Sequence, residues 1–263
     1  MAEFKEHAPG IFCWVDLATT DAEGAKKFYS ELMAWNMVDT QAGEGMVYTM
    51  MQLGEKIVAG LYGMGPEQRA QDLPPHWMPF VSVSNVDETV EKTKLLSGTV
   101  IMEPADIFEY GRMANIQDPT GAILALWQPK QHIGAQLKNE IGTVCWNELM
   151  TNDEQKAGEF YSELFGWTAK TQQMGDGSMY TMFNLGDTQV GGMMKIQEEW
   201  GDVPPNWMVY FAVENCDTSV EKVTSLGGQI IVPTTAVPDV GKFAVIQDPQ
   251  GAVSGIIEMK KSE

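Results

Sequence analysis

Two carboxylates stand where a strand would ordinarily be apolar. Asp16 sits in Cys13-Trp14-Val15-Asp16-Leu17 and Glu148 in Cys145-Trp146-Asn147-Glu148-Leu149, each two positions after a tryptophan. A charge central in an apolar strand is costly to bury unless it is paired or used. The plain alternative is a solvent-facing strand end or a Lys or Arg partner. If used, either carboxylate could act as a general base on an acidic C–H or O–H, its pKa raised by apolar walls. Either could equally bind a cationic ligand, with Trp14 or Trp146 adding a cation–π contact. Tyr48 and Tyr180, equivalent residues on a following strand, could contribute hydroxyls. His7, His76 and His132 are scattered without repeat partners and read as surface residues. The chain carries no zinc-type His/Cys spacing, nucleophile triad, phosphate loop or dinucleotide fingerprint.

The elements that must position these groups occur twice. Cys13 to Asp21, then Phe28-Tyr29-Ser30-Glu31-Leu32 and Trp35, returns 132 positions on as Cys145 to Asp153, Phe160-Tyr161-Ser162-Glu163-Leu164 and Trp167. Pro9-Gly10 opens a strand over about 11–17. Thr20 with Glu23, and Thr151 with Glu154, form capping boxes for helices. Ala25, Phe28, Leu32 and Trp35 recur at helical spacing and turn one face inward. Strands are predicted at 46–53 and 56–62, joined by Gly54-Glu55. A second module follows: a strand at 77–83, a helix from Val86 to near Gly98, and strands at 99–103, 112–117 and 122–127. Its last turn is Asp118-Pro119-Thr120-Gly121. Pro74-Pro75-His76-Trp77-Met78 and this turn recur 130 positions on, so two residues were lost in the loop before the Pro-Pro pair, where loss is cheap. The reading is two homologous domains, 1–130 and 142–263, with a polar linker at 131–141.

Composition narrows the function classes. The 263-residue chain is 44% apolar, enough for packed cores. With 36 acidic and 17 basic residues the net charge is −19, a field that repels phosphate backbones and anionic lipid heads. Nucleic-acid and membrane partners are therefore not expected. Neither a transmembrane run nor a signal-peptide pattern is found. Three cysteines, two of them at equivalent repeat positions, read as reduced core residues of a cytoplasmic protein.

The doubled strand, capped Phe-Tyr helix and late Asp-Pro-x-Gly turn resemble the glyoxalase/bleomycin-resistance/extradiol-dioxygenase superfamily, the vicinal oxygen chelate proteins. The matched motifs span nearly the whole chain, once per half. The resemblance implies an α+β fold of four βαβββ modules, with paired modules curling mixed sheets around cavities. In metal-using members, four strands each give a His, Glu or Gln to one divalent ion, which acts as a Lewis acid on the substrate.

Mapping those four positions onto this chain gives Trp14, Leu61, Met78 and Ala125 in one half, and Trp146, Met193, Met208 and Gly255 in the other. Cys13 and Cys145 are the one-residue alternatives. None offers the oxygen or imidazole that hard or borderline ions want, so the expectation is no metal and no cofactor. Strand alternation then brings Asp16 and Glu148, Phe80 and Tyr210, and Trp127 to the same lining as Trp14, Trp146, Met78 and Met208. The expected function is a metal-free cavity binding a small aromatic or cationic ligand, as in bleomycin-type resistance proteins. The alternatives are a metal-dependent lyase/isomerase or extradiol dioxygenase, and a metal-independent acid/base enzyme using Asp16 or Glu148. Two pseudo-equivalent cavities are expected, in a monomer (pseudo-dimer) or a homodimer.

Overall fold

The computed structural model describes residues 3–43, 45–175 and 177–260. Its first half runs β1 (Phe12–Thr19), α1 (Ala22–Met33), β2 (Asn36–Gln41), β3 (Val47–Leu53), β4 (Lys56–Gly63), a one-turn α2 (Pro66–Ala70), β5 (His76–Ser82), α3 (Val86–Leu95), β6 (Thr99–Ile107), β7 (Gly111–Gln117) and β8 (Ile123–Pro129). The second half repeats it: β9 (Val144–Thr151), α4 (Glu154–Phe165), β10 (Thr168–Gln173), β11 (Met179–Leu185), β12 (Thr188–Lys195), β13 (Asn206–Ala212), α5 (Cys216–Ser225), β14 (Gln229–Val237), β15 (Gly241–Gln247) and β16 (Val253–Met259). Each half forms one mixed eight-stranded sheet, in the orders β2-β3-β4-β1-β5-β8-β7-β6 and β10-β11-β12-β9-β13-β16-β15-β14. The edge strands β2 and β10 are mostly polar and exposed, with only Met37 of β2 packed against the core, and gave no apolar alternation to read. The helix caps are Asp21 and Asp153, whose carboxylates accept from Gly24 N and Lys156 N. The expected caps fall one to two residues too early, because Thr19 and Thr151 instead accept from Asp21 N and Asp153 N.

Each helix of the Phe-Tyr motif packs on the opposite half. One core joins α1 and Trp35 to Val209, Phe211, Ala244, Ile246 and Ile256. The other joins Phe160, Tyr161 and Trp167 to Val81, Val86, Ala114, Ile116 and Leu124. Buried polar contacts fix the geometry reciprocally. Tyr29 donates to Asp248 Oδ2 at 3.1 Å while accepting from Trp77 Nε1 at 3.0 Å. Tyr161 donates to Asp118 Oδ2 at 2.9 Å while accepting from Trp207 Nε1 at 2.8 Å. Trp35 Nε1 donates to Gly142 O at 2.7 Å, and Trp167 Nε1 to Gly10 O at 2.8 Å. The other oxygen of each aspartate gathers the backbone N–H groups of its own turn. Each Asp-Pro-x-Gly turn is thus closed by its own half and locked by the other.

Replacing Tyr161 by Phe removes one hydroxyl but leaves the Trp207 N–H and Asp118 Oδ2 without a partner in the core. A stranded buried polar group costs about 1–3 kcal/mol, so urea unfolding of Tyr161→Phe should show a stability lower by about that amount, read as a lower midpoint at unchanged m-value. A midpoint equal to that of the wild type would show that the lock carries no stability.

Candidate functional site

The helices and the partner half cover one face of each sheet. On the other face of the first sheet, Trp14, Phe80, Ala125 and Trp127 are nonetheless buried. Residues from both ends of the sheet reach this cluster, Met50 and Ile57 from one side and Ile107, Tyr110 and Met113 from the other. The sheet therefore curls over its helix-free face, and side chains from its two ends pack together there. Cross-strand register sets what lines it. Met50, Gly60, Asp16 and Met78 form one row. Trp14, Phe80, Ala125 and Asn115 form the next. Tyr48, Tyr62, Ala18 and His76 form a third.

Asp16 is the polar centre of this face. Trp14 Nε1 and the Tyr48 hydroxyl both donate to its Oδ1, at 2.7 and 2.5 Å, and Trp14 Nε1 also donates to the Tyr48 oxygen at 3.1 Å. Burial raises the Asp16 carboxyl to about 6, against the pull of the Tyr48 and Trp14 hydrogen bonds. The contact needs Gly60, since a Cβ there would collide with the Tyr48 hydroxyl and Asp16 Oδ1. In the second half, Trp146 Nε1 donates to Tyr180 at 2.9 Å, and Tyr180 donates to Glu148 Oε1 at 2.8 Å. Tyr210 closes the other oxygen, donating to Oε2 at 2.9 Å. Gly192 and Gly255 clear the space these two tyrosines occupy. Glu148 is buried and its carboxyl is also raised, by desolvation first.

All the predicted lining residues thus come together in two sets. Trp14, Asp16, Tyr48, Met78, Phe80 and Trp127 share the first helix-free face. Trp146, Glu148, Tyr180, Met208 and Tyr210 share the second. Two positions mapped for metal ligands are misplaced by one: Leu61 and Met193 pair with Leu17 and Leu149 and point into the cores, and the helix-free face takes Gly60 and Gly192. The donor set does not suit the superfamily's divalent ion, because at the four central strand positions these faces offer indole, glycine, thioether and methyl groups. Among the described residues no group of three His, Cys, Asp or Glu side chains is arranged to hold a metal.

The histidines correct the sequence reading. His7 is only 6% exposed, and its Nε2 lies 2.8 Å from Ala135 O. His132 stands edge-on to Trp14 and Trp127, with ring centroids 4.7 and 5.9 Å away. Burial lowers its imidazole to about 4, so the ring is neutral at physiological pH. The linker that carries it is not a free spacer: Ala135 N donates to Cys13 O, Gln136 N to Ile57 O, and Trp127 Nε1 to His132 O. This segment crosses the end of the first helix-free face, and the second half has no counterpart among the described residues. Cys13 and Trp14 are accordingly buried where Cys145 and Trp146 are half-buried. Tyr62, Asn115 and His132 were missed as lining. The first two could have been found by extending the alternation around Leu61 and Ile116, but nothing local signals that the linker folds back.

A groove of about 660 Å³ lies elsewhere, between α4 and strands β10 to β12 on the helix-bearing side. It opens because Gly158 stands where the first half has Lys26, whose ammonium bridges Glu23 and Asp39 at 2.8 Å each. It faces away from the Glu148 cluster.

Fold and face together define a paired-module, helix-backed sheet protein with a polar centre on an aromatic, helix-free face. A family profile described as Glyoxalase/Bleomycin resistance protein/Dioxygenase superfamily matches residues 11–126 and again 140–253. The chain belongs to that superfamily. It is 40% identical over 259 residues, 98% of each chain, to the protein named "Putative glyoxylase CFP32" of Mycobacterium tuberculosis (strain CDC 1551 / Oshkosh). It is 31% identical over 267 residues, 97% of this chain and 95% of the other, to "Anthracycline biosynthesis protein DnrV" of Streptomyces peucetius. Among solved structures it superimposes on a Mn(II)-bound glyoxalase from Novosphingobium aromaticivorans with a TM-score of 0.63 at 13% identity, covering 97% of this chain and 86% of that one. The 2,3-dioxygenase LapB from Pseudomonas sp. KL28 gives 0.65 at 11%, covering 97% and 94%.

An aspartic acid raised to about 6 in the folded chain binds its proton more tightly than in the unfolded one. Its stabilising contribution is full below about pH 4 and is lost as pH rises through 6. The stability difference between wild type and Asp16→Asn should therefore shift against wild type between pH 4 and 7, by no more than about 3 kcal/mol. Urea titrations at several pH values measure it. A pH-independent difference would show that Asp16 titrates normally.

Proposed function

We propose that this protein binds a small organic ligand, aromatic and bearing hydrogen-bond donors or a cationic group, in a hollow on the helix-free face of its sheet, without the superfamily's metal ion. The observation that carries this is the Trp14–Asp16–Tyr48 cluster, an acceptor set into an indole, phenyl and thioether wall where metal-using relatives would need ligands. Small-molecule sites have this makeup. Half-buried Met50, Met78 and Met113 are flexible side chains that can yield to a ligand. The relative named for anthracycline biosynthesis is in keeping with a polycyclic, donor-bearing compound. A second reading has Asp16 as a general base, favoured by a carboxyl at about 6, near the range where such bases operate.

The two halves bury their cores in each other as two subunits would, and we propose a monomer that is its own pseudo-dimer. Among the described residues no helix is long and apolar enough to cross a membrane. All three cysteines are free, which suits a reducing compartment such as the cytoplasm.

The test is tryptophan-fluorescence titration with doxorubicin, an anthracycline, and with 2,6-dihydroxynaphthalene, each with EDTA and with added Mn²⁺. Saturable quenching by at least one, unchanged by EDTA, is expected. Binding that appears only with Mn²⁺ would replace this reading with metal-dependent chemistry, and quenching by neither would end it.

A further inference from the structure

The two helix-free faces share a scaffold but not their hydrogen-bonding state. In the second half both Glu148 oxygens are taken, by Tyr180 and Tyr210. In the first half Phe80 stands at the position of Tyr210, and both donors to Asp16 converge on Oδ1. Asp16 Oδ2 has no protein partner among the described residues. On the same face Asn115 Oδ1 is buried without a partner, and so is His132 Nε2. The second-half counterpart of Asn115 is Val245, and those of Tyr62, His76 and Trp127 are Met194, Asn206 and Ile257. The remaining orphaned side-chain atoms of the second half, on Asn147, Glu154, Gln250 and Ser254, lie off its helix-free face. Asn115 Oδ1, a buried acceptor without a donor, costs as much as a lost hydrogen bond and is seldom kept without a use. Asp16 is only half-buried, and its Oδ2 is not one of the buried orphans.

We infer that the halves have diverged in role: the first hollow alone takes the ligand, through hydrogen-bond donors on the ligand that meet Asp16 Oδ2 and Asn115 Oδ1, and the second is a closed structural copy. This rests on the ligand-binding reading above. The two acceptors lie on β1 and β7, three strands apart, or about 14 Å along the sheet at roughly 4.8 Å per strand and less across a curled one. That span suits a fused aromatic with hydroxyl or ammonium groups at opposite ends, its rings between Trp14, Phe80 and the methionines. Glu148, held by two tyrosines and buried, fixes the second sheet in place of binding.

Calorimetry with 2,6-dihydroxynaphthalene and its donor-free ether, 2,6-dimethoxynaphthalene, tests this. The diol should bind with one equivalent per chain and at least tenfold tighter than the ether. Phe80→Tyr places a hydroxyl where Tyr210 has one and should cost the diol tenfold or more while leaving the ether within about twofold. Asn115→Ala, a smaller change, should lower the diol-to-ether ratio several-fold, and circular dichroism of each variant shows that it is folded. Two equivalents per chain, or equal affinity for diol and ether, would overturn the inference while leaving the binding reading standing. So would a folded Phe80→Tyr that keeps wild-type diol affinity. Absence of binding by either compound to wild type would remove both.

Discussion

The structure depends on two tyrosine hydroxyls, each buried between its own half and the other. Tyr29 and Tyr161 hold Asp248 and Asp118 across the pseudo-twofold, and a tryptophan donates to each tyrosine in turn. Those aspartates organise the turns that start β16 and β8, which run beside β13 and β5 in the middle of each sheet. The lock therefore places the central strands of both helix-free faces. It also explains why the Phe-Tyr helix and the Asp-Pro-x-Gly turn appear together in each repeat although they meet only across it.

With the scaffold held this way, the helix-free faces are free to differ. Both keep a tryptophan, a carboxylate and a tyrosine, and both use a glycine to let that tyrosine reach the carboxylate. They part at single positions. Tyr210 against Phe80 decides whether the second carboxylate oxygen is occupied. Val245 against Asn115 decides whether an unpartnered acceptor lies on that face. The linker, whose residues 132–136 pack on the first half, buries Trp14 more deeply than Trp146 and brings a neutral imidazole to its edge. Such differences change chemistry without disturbing the sheets, which is how one fold comes to host many functions.

The architecture was legible because it is written twice, and the repeated apolar spacing and turn residues admit few other folds. The site was legible in part. Alternation from Trp14 and Met78 placed Asp16 and Phe80 correctly, since the side-chain period of a strand is fixed. The mapping of the family's ligand positions was off by one near Leu61, whose side chain enters the core while Gly60 takes the helix-free face. The caps were misassigned because Thr and Asp are both good N-caps and stand one or two residues apart here. His7 and His132 were read as exposed from their polar surroundings. Their burial comes from a terminus and a linker folding onto β1 and β8, contacts more than a hundred residues apart for His7 and Ala135.

The most direct measurement is a crystal structure of the protein soaked with 2,6-dihydroxynaphthalene, with anomalous data collected for manganese, iron, nickel and zinc. The account predicts one naphthalene in the first hollow, its hydroxyls on Asp16 and Asn115, an unoccupied second hollow, and no anomalous peak at the central strands. A metal peak beside Trp14 or Trp146, or the ligand seated against Glu148, would contradict it.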